Sequence, residues 1–243
     1  MQEIRLTDRI SYIPACEKPL SSDVGIVRGD HFTYIFDVGS TPQTLEYLQG
    51  LHGLCDIVIS HFHGDHTWWL TSHKKGDEGV EETDEISLNY ERPAFHRLYI
   101  GSYTKKYIAD GEVISAPTII SNRSGMNSSA DERIISAGSL DIYDGVKISV
   151  IPVPNSHSKG ALMMMVDDEY VFMGDATYCT AKGGVQVYNA QLLEEEIRLL
   201  KAIPAGTCLI SHDRRFARDK RVVLRQLEAV YAKRHSDSPY IEV

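Results

Sequence analysis

The chain has 243 residues, 42% of them hydrophobic and 24% charged, with a formal net charge of −9. Such a length buries a sizeable core without disulfides, and such a composition is that of a globular protein. The acidic balance argues against nucleic acid as a general partner, and no apolar run reaches the length of a membrane span.

In chain order, residues 4–13 and 24–27 read as strands, and 32–37 as a clearer one closed by Gly39. Thr41-Pro42 opens a short helix through Leu48, with proline in the favoured first turn. Residues 57–60 are a short β-branched strand. Residues 71–95 carry Asp77, Glu78, Glu81, Glu82, Asp84 and Glu85 and read as an acidic loop insertion; long loops of this kind also serve as lids or substrate-binding segments. Residues 115–130, rich in Ser, Asn and Gly, take no assignment. Val146, Ile148 and Val150 alternate with Lys147 and Ser149, as a half-buried strand should. Residues 161–166 and 170–173 flank the turn Asp167-Asp168-Glu169 and predict a hairpin. Asn189 caps a helix whose apolar face is Leu193, Ile197 and Leu200. Residues 207–211 form another strand, Val223, Leu227 and Val230 mark a last helix, and 235–243 is expected to fray.

Interleaved strands and helices, with hairpins among the strands, predict packed sheets with helices outside, in one domain over 1–243. Cys16, Cys55, Cys179 and Cys208 form no CxxC pair and read as free thiols. The opening MQEIRLTDRI has no apolar leader. Together these fit a cytoplasmic protein.

The strongest chemical signal is Ser60-His61-Phe62-His63-Gly64-Asp65-His66. Imidazole and carboxylate are the ligands that zinc and similar metals prefer. The cluster begins where a strand ends. His61 and His63 can aim at one point because alternate residues of an extended segment face the same way. A helix starting just after would turn Asp65 and His66 toward a second point. Three further groups follow apolar strands: His157 in Asn155-Ser156-His157, Asp175 in Gly174-Asp175-Ala176, and His212 in Ser211-His212-Asp213.

The order HxHxDH, His, Asp, His, with Phe36-Asp37-Val38-Gly39 upstream, resembles the metallo-β-lactamase fold superfamily over roughly residues 20–215. The resemblance implies an α/β fold, an αββα sandwich of two mixed β-sheets flanked by helices, with a metal centre at one sheet edge. It implies two divalent ions, zinc first, with Mn2+ or Fe2+ as alternatives. His61, His63 and His157 would hold one ion, Asp65, His66 and His212 the other, and Asp175 would bridge them. Asp37 would orient ligands from behind. Two such ions about 3.5–4 Å apart lower the pKa of a shared water enough to supply a bridging hydroxide near neutral pH. The implied activity is hydrolysis of a small ester, lactone, thioester or phosphoester, with Asp65 a candidate for proton transfer.

Asp175 argues against the class B β-lactamases, which usually lack the bridging aspartate, and flavodiiron proteins carry Glu where His63 stands. N-acyl homoserine lactonases are similar in having Tyr three residues beyond the bridging Asp. Here that residue is Tyr178, either an oxyanion donor or an aromatic packing beside Cys179. A mononuclear iron oxidoreductase resembling the persulfide dioxygenases is the alternative function, and a non-catalytic binding module a third. His31, His52, His73, His96 and His235 match no role, and His73 and His96 read as surface residues. Specificity is expected to lie in residues 71–130.

Overall fold

The structure, a computed structural model, describes residues 3–51, 54–70, 95–109 and 131–243. The expected insertion, apart from Phe95, lies outside the described residues, as do residues 115–130, His52 and His73.

The first half runs through β1 (Ile4–Arg5), β2 (Ile10–Ile13), a small hairpin of β3 (Cys16–Glu17) and β4 (Leu20–Ser21), then β5 (Val24–Arg28) and β6 (Phe32–Phe36). Helix α1 (Pro42–Gln49) follows, then β7 (Leu54–Val58), the short helix α2 (Gly64–Thr67), β8 (Arg97–Gly101), α3 (Ser102–Ala109) and β9 (Asp131–Ile135). The second half has β10 (Leu140–Tyr143), β11 (Lys147–Val153), β12 (Ala161–Val166), β13 (Tyr170–Gly174), β14 (Thr180–Lys182) and β15 (Val185–Asn189). It closes with α4 (Ala190–Ala202), β16 (Thr207–Ile210), β17 (Ala217–Asp219), α5 (Lys220–Tyr231) and β18 (Tyr240–Glu242).

Two mixed sheets result. The first has the order β1-β2-β5-β6-β7-β8-β9 and the second β10-β11-β12-β13-β16-β17. Strand β12 shows why they stack. All six of its residues are buried, so it cannot have a wet face. Leu162 and Met164 point into the layer between the sheets with Tyr34, Phe36, Val58 and Phe172. Met163 and Met165 point the other way, under α4 and α5, with Leu193, Leu200 and Leu227. The outer face of the first sheet, Ile26, Ile35 and Ile57, is covered by Leu45 and Leu48 of α1 and by Trp69 and Phe95. The layer order is therefore helix, sheet, sheet, helix, the αββα sandwich the sequence implied.

Three readings are corrected. Residues 4–13 are two antiparallel strands, with Ile4 opposite Tyr12. Residues 240–242 do not fray but pair with β15, and Ile241 is buried. His96, read as a surface residue, places Nδ1 3.1 Å from the buried carboxylate of Asp56. Among the described residues, no helix is long and apolar enough to cross a membrane.

Strand direction then positions the site. β6 and β7 are parallel, as are β13 and β16. β11 runs antiparallel to β12, and β12 antiparallel to β13, so β11 and β13 share a direction. The chain segments leaving β6, β7, β11, β13 and β16 carry Asp37, the histidine cluster, His157, Asp175 and His212 to one edge of the sandwich.

Candidate metal centre

The turn after β7 is shaped from behind by Asp37. Its Oδ1 accepts the Ser60 N–H at 2.8 Å, and its Oδ2 accepts the Ser60 hydroxyl at 2.8 Å. The same Oδ2 lies 2.7 Å from His66 Nδ1, which leaves His66 Nε2 facing the cluster. Ser60 Oγ is also 2.9 Å from His61 Nδ1. Asp37 has φ 61°, in the left-handed region that side chains avoid, and these contacts hold it there. Gly174 closes the same corner: a Cβ there would lie 2.6 Å from Ser60 Cβ.

The residues converge in two groups. His61, His63, His157 and Asp175 each offer a ligand atom, all within 4.8 Å of one another; so do Asp65, His66 and His212. In the first group His63 Nδ1 lies 2.8 Å from His61 Nε2 and 3.0 Å from His157 Nε2. A cation about 2.0–2.1 Å from each nitrogen of a tetrahedral site spaces them by about 3.3 Å, close to what is seen. His157 Nδ1 sits 3.2 Å from the Cys179 carbonyl, which accepts its proton and leaves Nε2 with the lone pair. In the second group His212 Nε2 is 3.0 Å and His66 Nε2 3.3 Å from Asp65 Oδ2. Asp175 faces both groups, Oδ2 3.4 Å from His157 Nε2 and Oδ1 3.5 Å from His66 Nε2.

Two atoms test whether the set fits a cation. His66 Nε2 and Asp175 Oδ1 are fully buried and have no hydrogen-bond partner. An orphaned pair of this kind costs stability unless something satisfies both. A divalent cation would do so. The charges agree. Burial, reinforced by His66, His63 and His157, holds the His61 imidazole well below its ordinary value. Burial and His157 lower His63 in the same way. Against burial, Asp37, Asp175 and Asp65 raise His66 well above it. Burial also opposes ionisation of Asp65, but contacts from His212 and His66 prevail and depress its carboxyl. His61 and His63 are thus biased to neutral lone pairs, and the second group pairs its histidines with carboxylates a cation would neutralise instead.

Tyr178 sits beside the centre, its ring centroid 6.4 Å from that of His157. Its hydroxyl donates to the Ser211 carbonyl at 2.7 Å, so donation to a substrate requires that bond to break. Burial, then Asp175, raise its pKa, which keeps the phenol protonated.

Two supporting residues were not read from the sequence. Ser60 links Asp37 to His61. Asp23 accepts the backbone N–H of His212 at 3.0 Å and of Ala15 at 3.0 Å. Their partners lie 188 or more residues away in the case of Asp23 and the 211–212 turn, and no local pattern marks them.

A family model described as the metallo-beta-lactamase superfamily matches residues 18–212. No curated protein matches the chain. Among solved structures, VMB-1 is 15% identical with a TM-score of 0.57, over 95% of this chain and 96% of that one. ST1585, an archaeal metallo-beta-lactamase superfamily protein from Sulfolobus tokodaii, is 18% identical with a TM-score of 0.54, over 96% and 90%. The rubredoxin oxygen:oxidoreductase of the anaerobe Desulfovibrio gigas is 10% identical with a TM-score of 0.63, over 97% of this chain and 63% of that one. At these identities the likeness to solved structures is one of fold.

Proposed function

Because the chain belongs to the metallo-beta-lactamase superfamily of enzymes, we propose that it is a dinuclear metal hydrolase, zinc-dependent, acting on a small ester, lactone, thioester or phosphoester. The observation that carries this reading is Asp175: its two oxygens face two separate ligand groups, 3.4 Å from His157 and 3.5 Å from His66. A site for one ion leaves the second group, Asp65, His66 and His212, without purpose.

His61, His63 and His157 would hold one ion and Asp65, His66 and His212 the other, with Asp175 facing both groups. When bound, two such ions supply Lewis-acid polarisation of the attacked oxygen and hydroxide near neutral pH. The chain's own part is orientation and proton handling. Asp37 and Ser60 fix the rings of His66 and His61. Asp65, whose Oδ2 lies 3.3 Å from His66 Nε2 and 3.0 Å from His212 Nε2, is the candidate for proton transfer. No serine or cysteine nucleophile is required.

The test is metal analysis of the purified protein with a panel of esters, lactones, thioesters and phosphodiesters. About two ions per chain are expected, with turnover of at least one class. Asp175→Ala should weaken both ions together, and His212→Ala mainly the second. A single iron per chain that added zinc or manganese does not supplement would overturn the reading in favour of a mononuclear oxidoreductase. Equal loss of both ions in each variant would contradict the ligand assignment.

A further inference from the structure

Phe62 lies between two candidate ligands but offers no ligand atom, and the hydrolase reading gives it no task. Its ring stacks on Tyr107, with centroids 4.1 Å and planes 14° apart. It also meets His63 edge-on at 4.7 Å and Tyr103 edge-on at 5.8 Å. Tyr103 and Tyr107 stand one turn apart on α3, their ring centroids separated by 5.2 Å. Tyr107 is 52% exposed. The three rings thus form a wall that starts at the ligand His63 and runs out to solvent.

A cation stands on the same rim. Lys159, two residues after His157, puts Nζ 5.8 Å from the Tyr103 ring centroid. Among the described residues no carboxylate pairs with it. On a chain with net charge −9, an unpaired ammonium beside the site is a local attractor for anions. The geometry of the rim is fixed by backbone. A Cβ on Gly101 would collide with the Gly160 carbonyl oxygen, and one on Gly160 would lie 2.8 Å from Tyr103 Cβ. The His157–Gly160 turn and the start of α3 therefore cannot separate without breaking a close approach that only glycine permits.

We propose that Phe62, Tyr103 and Tyr107 form the subsite for a planar aromatic group of the substrate, and that Lys159 takes an anionic substituent on that group. Aromatic faces and edges favour another ring over an aliphatic group of equal area, and the ammonium adds charge selection. The inference deepens the hydrolase reading and rests on it for its place in catalysis: the substrate's non-reacting end is an aryl anion.

The test is calorimetric titration of the zinc-loaded protein with naphthalenesulfonate, naphthol and cyclohexanesulfonate. Naphthalenesulfonate should bind about tenfold more tightly than either of the others, a margin typical of one aromatic or charged contact. Tyr107→Ala should abolish the preference for the aromatic sulfonate over the cyclohexyl one. Phe62→Leu should do the same while keeping bulk between the ligands, and metal content is measured for each variant. Lys159→Gln should abolish the preference for naphthalenesulfonate over naphthol. Equal binding of the two sulfonates, absence of binding, or unchanged preferences in the variants would overturn the proposal and leave the rings as packing for Phe62. Turnover of matched naphthyl and cyclohexyl esters separates the two readings. Binding as expected without hydrolysis of any substrate class sinks the hydrolase reading alone; hydrolysis without aryl preference sinks the subsite alone.

Discussion

His212 has φ 61°, a backbone conformation that costs a non-glycine residue stability unless its surroundings impose it. Asp23 supplies the constraint. Its Oδ2 accepts the His212 N–H at 3.0 Å and lies 3.3 Å from Ser211 Oγ, while its own N–H donates to that hydroxyl at 3.0 Å. Removing the carboxylate frees the turn that aims His212 Nε2 at Asp65. Asp23→Ala should therefore weaken binding of the second ion about 10–100-fold, the usual effect of losing a group behind a metal ligand. The first ion should be retained at wild-type affinity. Metal titration resolves the two, and equal weakening of both ions would mean that Asp23 serves the fold and not His212. Glu196 poses a different problem. It is fully buried on α4, and neither carboxylate oxygen has a hydrogen-bond partner. Burial raises its pKa well above the ordinary 4.5. A carboxyl whose folded value is raised favours the folded state fully below its unfolded value, and that contribution is lost as pH rises from 4.5 toward the folded value. Glu196→Met removes both the titration and the orphaned oxygens. The variant should be more stable than wild type by about 1–3 kcal/mol near pH 8, with a smaller gap near pH 4.5. Denaturant melts in chelator, which keeps metal release out of the comparison, check this; a gap that does not change with pH would refute the assignment.

The elements that sequence made legible are those whose signal is local. Of strand β7, Leu54–Val58, only the β-branched end at Ile57 and Val58 falls within the stretch 57–60 that reads as a strand from sequence. The hairpin of β12 and β13 turns at Asp167 and Asp168, which adopt φ 50° and 57°, a conformation aspartate tolerates better than most residues. Helix α4 carries its cap in view, with Asn189 accepting the Leu192 N–H at 3.0 Å. Elements that were missed depend on distant partners. α3 and β9 lack a clear period of their own, and β9 exists because β8 pairs with it in parallel. The C-terminal strand is the plainest case. Residues 235–243 are polar and short of apolar pattern, but Ile241 is 3% exposed and lies opposite Tyr188 across the β15–β18 ladder. Burial at that level predicts that Ile241→Ala costs about 2–5 kcal/mol of unfolding free energy. A frayed end would give a value near zero, so one denaturant titration distinguishes the two descriptions.

At the scale of the molecule, the candidate ligands divide between the two sheets. His61, His63, Asp65 and His66 follow β7 of the first, and His157, Asp175 and His212 follow strands of the second. The candidate ligands could be listed from the sequence because each sits at a strand end in a fixed chain order, and chain order survives without knowledge of pairing. What was not readable is what joins the sheets at that edge. Leu162 donates to the Ser60 carbonyl at 2.8 Å, and Asp23 grips the 211–212 turn, contacts that exist only once the layers have stacked. Each ligand group draws on both sheets, so a bound cation cross-links them and is absent from the unfolded chain's account. Free ion at about 100 times its Kd then adds about 2.7 kcal/mol of stability per site. For a chain of this size that is about 5–11 °C in Tm per site. Chelation should lower Tm by that order, zinc should restore it in a concentration-dependent way, and His157→Ala or His212→Ala should each retain only part of the shift. Asp175→Ala should retain least, because its carboxylate faces both groups. A Tm indifferent to chelator and to added zinc would mean that the two groups do not take up a cation in the folded protein, and the metal reading of the site would fall with it.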